Sequence, residues 1–325
     1  MSMSPFSHAD AATVAEAVSA LDADTRPVAG GTDLLELIKA GLAAPQRLVN
    51  HMTIPGLGAI TETHTGWRIG ALINLAQLAE ALARVDAPGL AGLRESLMRT
   101  ASPQLRHMAT LGGNLVQKPR CWYYRNAETP CWRKGGRLCY AFRGENAHHA
   151  LWGGGPCYAV HPSDPAVALL ALETRVTIAG RAGERTVPFA ALYRQPDREN
   201  RENHVLAPDE LVTAVDILRP APGARSAYVK VAERATWDFA LASAAVQLVM
   251  ARGVVRQARI ALGGVGVAPW RAQAAEEALV GHRLSEATRA AAAVAATQGA
   301  RPLEHNAYKV ELVQGVVAQA LRVLA

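Results

Sequence analysis

The amino-acid sequence predicts an α+β fold built from more than one unit, and three observations support this prediction. The chain has 325 residues, 50% of them hydrophobic and 19% charged, which is enough apolar material for two or three cores. Its first 60 residues alternate strand and helix patterns around a glycine turn. Its last hundred residues show strand patterns followed by helix patterns, the order typical of an α+β domain.

The first predicted unit, residues 1–58, contains a glycine turn between a strand and a helix. Apolar spacing predicts a helix over 10–21, after which the turn GGTD occupies 30–33. A second helix follows as far as Gly41, and residues 47–50 predict the next strand. Backbone N–H groups at such a turn can hold a phosphate, although a single glycine turn more often only reverses the chain.

The second predicted unit, residues 59–221, contains another glycine turn. A strand pair and two helices come first, and the turn TLGGN follows at 110–114. A short apolar helix at 164–172 and a hairpin complete the unit. Two prolines and a glycine at 220–223 interrupt all periodicity, so we expect a domain boundary there.

The third predicted unit, residues 222–325, begins with antiparallel strands. Two of these strands meet at Arg252-Gly253, which has the composition of a tight hairpin turn. Three helices are predicted to close the chain, at residues 271–280, 285–297 and 305–324.

Several functional classes are excluded by what the sequence lacks. Neither glycine turn fits the G-x-G-x-x-G dinucleotide fingerprint, and no G-x-x-x-x-G-K-[ST] loop occurs. These absences count against a nicotinamide Rossmann domain and a P-loop NTPase. The net charge of +6 is mostly dispersed, and we expect no membrane anchor and no export signal in this chain.

Four sequence segments together resemble a known family. They are VAGGTDLLELIK at 28–39, TASPQLRHMATLGGNL at 100–115, HPSDPAVALLALE at 161–173 and YVKVAERATWDFALASAAV at 228–246. They occur in the order found in the FAD-binding medium subunits of molybdenum hydroxylases, the group of xanthine dehydrogenase and carbon monoxide dehydrogenase. The resemblance implies a FAD-binding domain of the vanillyl-alcohol-oxidase or PCMH type, with two α/β subdomains and a C-terminal α+β domain.

The resemblance also implies a set of FAD-binding residues and no catalytic residue on this chain. The first turn would wrap the pyrophosphate with Ala29, Gly30, Gly31, Thr32, Asp33, Leu34 and Leu35. From the other side, the phosphates and ribityl chain would be contacted by Ser102, Thr110, Gly113 and Asn114. Asp164 would accept hydrogen bonds from ribityl or ribose hydroxyls, and Lys230 would lie near the isoalloxazine ring. The alternatives are a helix N-cap for Asp164 and a surface lysine for Lys230.

All four cysteines lie in one segment, residues 118–161, which we call the insertion. Cys121, Cys131, Cys139 and Cys157 have the spacing C-x9-C-x7-C-x17-C. Clustered thiolates select zinc or iron-sulfur clusters, and the absence of a C-x2-C pair disfavours zinc. Two disulfides, four unrelated buried thiols and a basic, aromatic single-strand nucleic-acid site are the alternatives. The insertion resembles that of periplasmic aldehyde oxidoreductases and 4-hydroxybenzoyl-CoA reductase, which implies a [4Fe-4S] cluster on the four cysteines.

The resemblance implies an electron-transfer subunit that carries FAD and a [4Fe-4S] cluster. A molybdopterin-binding large subunit and a [2Fe-2S] small subunit would complete a heterotrimer, and its substrate would be an aldehyde. We expect no nucleic-acid partner. The compartment would be the periplasm, by co-export with a signal-bearing partner, or the cytoplasm. The rival interpretations are a self-sufficient flavin oxidase or reductase of the same fold and a zinc-stapled binding module.

Overall fold

A computed structural model describes residues 5–325. The strands are β1 (Ser7–Asp10), β2 (Thr25–Val28), β3 (Arg47–Asn50), β4 (Ile60–Glu62), β5 (Gly66–Gly70), β6 (Thr174–Gly180), β7 (Gly183–Pro188), β8 (Leu211–Leu218), β9 (Ala224–Val231), β10 (Ala242–Ala251), β11 (Val254–Gly263) and β12 (Trp270–Arg271). The helices are α1 (Val14–Ala20), α2 (Leu34–Lys39), α3 (Leu75–Ala83), α4 (Ala91–Met98), α5 (Pro103–Met108), α6 (Leu111–Leu115), α7 (Trp122–Arg125), α8 (Asp164–Ala171), α9 (Gln273–Leu279), α10 (Glu286–Ala295) and α11 (Tyr308–Val323). The mixture confirms the predicted α+β class.

The first sheet is parallel and has the strand order β1-β3-β2. Parallel strands need a crossover between them, and the helices α1 and α2 supply it. Thr13 caps α1, since its side chain accepts a hydrogen bond from the Glu16 N–H. The buried residues Val18 and Leu21 pack this helix region against Val49 of β3. The glycine turn therefore follows β2 at the carboxyl edge of this sheet.

The second sheet is antiparallel, with the order β4-β5-β8-β6-β7. Its central strand, β8, comes last in sequence, so the irregular chain between β7 and β8 must cross back over the sheet. The helices α3, α4 and α8 cover one face with a core that includes Leu75, Leu93 and Leu97. Helix α8 is buried along its whole length because it packs between this sheet and the third one.

The third sheet has the order β12-β11-β10-β9 and is covered by α9, α10 and α11. The tight turn between β10 and β11 has positive φ at Arg252 (53°) and Gly253 (75°), as the predicted hairpin requires. This sheet also packs on the second unit, because the Gly92 N–H of α4 donates to Ser226 Oγ at 2.8 Å. The division into residues 1–58, 59–221 and 222–325 stays a prediction.

The insertion at 118–161 contains little regular structure. It consists of α7 and single turns of 3-10 helix at Trp132–Lys134 and Tyr140–Phe142, joined by loops. Its last part is hydrogen bonded to the third unit, where the N–H of Leu151 donates to Val265 O at 2.7 Å. None of the helices in residues 5–325 is both long and apolar enough to cross a bilayer.

Candidate functional site

A cavity of about 770 Å³ opens between the first and second sheets, and the two glycine turns form opposite walls of it. We call it the large cavity. Nine of the predicted cofactor residues line it: Ala29, Gly30, Gly31, Thr32, Asp33, Leu34, Thr110, Gly113 and Asn114. The structure thus brings together two turns that lie about 80 residues apart in sequence. A volume of this size matches a cofactor-sized ligand.

The first turn is shaped by glycines that no other residue could replace without a shift. Gly31 has φ +71°, a left-handed conformation that glycine adopts at no steric cost. At Gly30, an added Cβ would lie 1.8 Å from the carbonyl oxygen of Met108. The turn therefore packs directly on the backbone that leads into the second turn, and this contact fixes the distance between the two walls.

The second turn is held by side-chain hydrogen bonds. Thr110 caps α6, where its hydroxyl accepts from the Gly113 N–H at 3.3 Å. The buried Asn114 accepts a hydrogen bond from the Ser163 hydroxyl at 2.6 Å. Because Ser163 is in turn the N-cap of α8, the second turn is tied to the buried helix below it.

A third wall of the large cavity was absent from the sequence prediction. It is formed by the irregular segment before β8, mainly Glu202, His204, residues 205–208 and Glu210. The Lys118 ammonium pairs with the Glu202 carboxylate at 2.5 Å, and this contact attaches the wall to the start of the insertion. Burial lowers the pKa of His204 to about 4, so this imidazole is neutral at pH 7.

Four predicted FAD-binding residues do not line the large cavity. Ser102 caps α5 by accepting from the Leu105 N–H at 3.2 Å, and the Leu35 side chain lies under Gly31. Asp164 and Lys230 instead pair with each other at 2.7 Å, and each side chain is only 5% exposed. Lys230 is therefore not the surface lysine of the alternative interpretation.

Asp164 sits in a buried polar cluster at the first residue of α8. One carboxylate oxygen accepts from the Tyr228 hydroxyl at 2.6 Å and the other from the Lys230 ammonium. Burial raises the pKa of Asp164, and the contacts with Lys230 and Tyr228 oppose that shift. The N-cap alternative is also wrong, because the cap is Ser163. A second cavity of about 30 Å³ adjoins the cluster, and Arg120 lines both this cavity and the large one.

The four cysteines line one small cavity, which we call the thiol cavity. All four are free thiols, so the disulfide alternative is wrong. Aromatic side chains close the cavity: Tyr123, Tyr124, Trp132 and Tyr140. The His149 Nε2 atom lies 3.2 Å from Cys121 Sγ, and burial raises the pKa of Cys121 to about 12. A metal would have to displace protons from these thiols.

The thiol cavity does not have the geometry of a single-ion site. In the described part of the chain, no three His, Cys, Asp or Glu side chains converge closely enough to bind one ion. Four thiolates around one zinc ion would each need to reach about 2.3 Å from it. No three side chains in the described residues meet this requirement, which argues against structural zinc.

The insertion is fastened to the first glycine turn through the carboxylate of Asp33. This group accepts from the Lys118 N–H at 2.8 Å and from Arg125 Nη2 at 2.7 Å, and it pairs with Arg120 at 3.0 Å. Arg120 lines the large cavity and the next residue, Cys121, lines the thiol cavity. The two cavities are therefore neighbours joined by one peptide bond.

Comparison with protein families assigns both halves of the chain. Residues 4–220 match the family described as the FAD binding domain in molybdopterin dehydrogenase. The chain belongs to this family. Residues 227–324 match the C-terminal domain of the carbon monoxide dehydrogenase flavoprotein. The resemblance drawn from the four sequence segments is thereby confirmed, and the chain is the FAD-binding subunit of an oxidoreductase.

Individual relatives agree along almost the whole chain. The aldehyde oxidoreductase FAD-binding subunit of Escherichia coli is 37% identical over 329 residues, covering 98% of each protein. The carbon monoxide dehydrogenase medium chain of Afipia carboxidovorans is 30% identical over 284 residues, covering 87% of this chain and 80% of the relative. The solved Hydrogenophaga pseudoflava carbon monoxide dehydrogenase superposes with a TM-score of 0.76 at 26% identity, covering 99% of this chain and 98% of that one. These relatives count against a zinc-stapled binding module.

Proposed function

We propose that this chain is the electron-transfer subunit of a heterotrimeric molybdenum hydroxylase, with FAD in the large cavity and a [4Fe-4S] cluster in the thiol cavity. The observation that carries the proposal is the junction at Arg120 and Cys121, where the wall of one cavity continues directly into the other. Bound FAD would exchange electrons with an external acceptor, and a cluster would transfer single electrons close to it.

The large cavity is suited to the diphosphate of FAD. Both glycine turns present backbone to the cavity, and glycine permits the close approach that a pyrophosphate needs. Lys118 and Arg120 also line the cavity, where they are paired with the carboxylates of Glu202 and Asp33. We assign the pyrophosphate to Ala29–Leu34 on one side and to Thr110, Gly113 and Asn114 on the other.

The flavin end of the site lies toward Asp164 and Lys230. Arg120 stands between the large cavity and the small cavity beside Asp164, and its guanidinium stacks on Phe239, 5.1 Å from the ring centroid. An extended dinucleotide that reaches from the glycine turns to Asp164 must therefore pass Arg120. We propose that this side chain turns toward the pyrophosphate when FAD binds.

The thiol cavity is suited to an iron-sulfur cluster rather than to a single ion. Thiolates are the ligands of such clusters, and all four thiols face one space under an aromatic cover. Arg133 packs close to Cys157 and contributes positive charge beside the sulfur. Its Nε atom is buried without a hydrogen-bond partner among the described residues.

The proposed partners follow from the family and from the use of the cysteines. The relatives include a medium chain of carbon monoxide dehydrogenase and a FAD-binding subunit of aldehyde oxidoreductase. All four cysteines of this chain line the thiol cavity, so further clusters require another polypeptide. We assign these clusters to a [2Fe-2S] small subunit and the oxidation of an aldehyde to a molybdopterin-binding large subunit.

Iron analysis of the purified complex tests the proposal. With two [2Fe-2S] clusters on the small subunit, the intact heterotrimer should contain about eight iron atoms per flavin, and Cys121→Ser or Cys157→Ser should contain about four. Flavin and protein are quantified in the same samples, so that iron is expressed per complex as well as per flavin. His148→Gln is a suitable control, because this half-exposed histidine of the insertion does not line the thiol cavity. An iron content that the cysteine variants do not lower would refute the assignment of a cluster to this chain.

A further inference from the structure

Lys309 is a fully buried lysine for which the described chain provides no carboxylate partner. It lies near the start of α11 and has an exposed fraction of 0%. Its ammonium donates to the carbonyl oxygens of His149 at 3.1 Å and Gly264 at 2.5 Å. Burial lowers the pKa of Lys309 to about 7, with no opposing contribution from an anion. Burying an ammonium group without an anion is costly, so the burial of this lysine requires an explanation.

The residue that accepts from Lys309 is the same one that touches a thiol of the insertion. His149 places its backbone carbonyl against the Lys309 ammonium and its Nε2 atom 3.2 Å from Cys121 Sγ. Asn306, one turn earlier, donates to the same His149 carbonyl at 3.0 Å. Asn306 and Lys309 therefore hold the backbone of His149 in place, and the Lys309 ammonium lies against the His149 carbonyl.

We propose that Lys309 is a positioning and charge-compensating residue for the thiol cavity: it fixes His149 beside Cys121 and offsets the negative charge of a thiolate-bound cluster. This inference rests on the iron-sulfur part of the proposed function. A cluster held by four thiolates carries net negative charge, and nearby positive charge favours its reduced form. Lys309 contacts the thiol cavity indirectly, through His149 at the Cys121 side. Arg133 supplies positive charge near a different thiol, that of Cys157.

A purely structural role for Lys309 is the competing explanation. In that case the ammonium would only donate hydrogen bonds to two backbone carbonyls and so hold α11 against the insertion. Removing the charge would in that case affect stability but leave the midpoint potential of a bound cluster unchanged. The reduction potential therefore separates the two roles, and it is independent of turnover.

The test compares Lys309→Met and Lys309→Gln with the wild type in the purified heterotrimer. Lys309→Met removes the charge and both hydrogen bonds, and Lys309→Gln keeps a neutral donor. The control is Arg322→Met, which removes an exposed positive charge from the same helix. For each protein, iron and flavin per complex are measured first. The midpoint potential of the cluster that the cysteine variants abolish is then determined by redox titration with electron paramagnetic resonance.

We expect both neutral variants to retain flavin and iron and to show a more negative midpoint potential, with Arg322→Met unchanged. An unchanged potential in an iron-loaded Lys309 variant would overturn the proposal. If Lys309→Met loses iron or fails to fold, Lys309→Gln decides by the same criterion. If neither neutral variant holds iron, Lys309 is only an anchor and the proposal is wrong. A wild-type complex that lacks the signal assigned to this chain would instead refute the proposed function itself.

Discussion

The buried histidine His161 predicts a specific loss of stability in acid. Its Nδ1 atom accepts from the Ser163 N–H at 3.3 Å, and its Nε2 atom faces the Leu115 carbonyl at 3.2 Å. These two contacts select the neutral form with hydrogen on Nε2, since a proton on Nδ1 would oppose the Ser163 N–H. Burial lowers the pKa of His161 from 6.5 to about 3.

The magnitude follows from the difference in pKa between the folded and unfolded states. As pH falls below 6.5, the unfolded chain binds a proton at residue 161 and the folded chain does not, so stability falls with pH down to about 3. Each unit of pH in this window costs about 1.4 kcal/mol. Between pH 7 and pH 5, His161 alone should remove about 2 kcal/mol of the free energy of unfolding.

Urea unfolding at pH 7 and pH 5 measures this contribution when wild type is compared with His161→Gln. The variant is less stable at pH 7, but its loss between the two pH values should be smaller than that of wild type by about 2 kcal/mol. His64→Gln changes an exposed histidine and should keep the wild-type pH dependence. Equal losses in wild type and His161→Gln would refute the assignment of a neutral buried imidazole.

Three further substitutions test other parts of the structure. Gly30→Ala should lower flavin content and cost on the order of 1–3 kcal/mol, because its Cβ would overlap a backbone carbonyl; absorbance and thermal unfolding measure both effects. Arg120→Ala should speed flavin dissociation, measured by fluorescence recovery on dilution, because a charge at the pyrophosphate wall is lost. Arg271 donates to both carboxylate oxygens of the buried Glu276, at 2.6 and 2.7 Å. Arg271→Ala should leave this carboxylate without its cation and destabilise the third unit by about 3 kcal/mol, as measured by urea unfolding.

Matched controls separate these effects from general damage. Gly155→Ala places a Cβ in open space and should leave flavin content and stability unchanged. Arg68→Ala breaks a partly exposed ion pair with Asp216 and should cost less than about 1 kcal/mol. Flavin dissociation from Arg120→Ala at the wild-type rate would place the pyrophosphate elsewhere. A loss in Arg271→Ala no larger than that in Arg68→Ala would contradict the argument that Arg271 compensates the charge of a buried carboxylate.

The features that sequence could predict are those encoded over short distances. Gly31 has a local requirement for glycine because of its positive φ, and the strand-turn-strand around Arg252-Gly253 is a local hairpin signal. The clustering of four cysteines in the insertion is likewise visible without a structure. These signals led to two walls of the large cavity and to the thiol cavity.

The features that sequence missed depend on contacts between distant segments. The third wall, around Glu202 and His204, has no periodicity, and long-range contacts such as the pairing of Glu202 with Lys118 place it at the cavity. Strand β1 has all four residues exposed, so no apolar pattern marks it. Asp164 and Lys230 lie 66 residues apart, and their mutual pairing could not be read from either motif.

The carboxylate of Asp33 has a consequence for how the protein matures. The Asp33 side chain, at the first glycine turn, is held by three groups from the insertion, so ordering the insertion also restricts the turn. If a cluster binds in the insertion and thereby favours FAD binding at the turn, then bound FAD must favour cluster binding by the same free energy. The two prosthetic groups would then be acquired cooperatively, and a polypeptide that has received only one of them would bind the other more tightly than the empty polypeptide does.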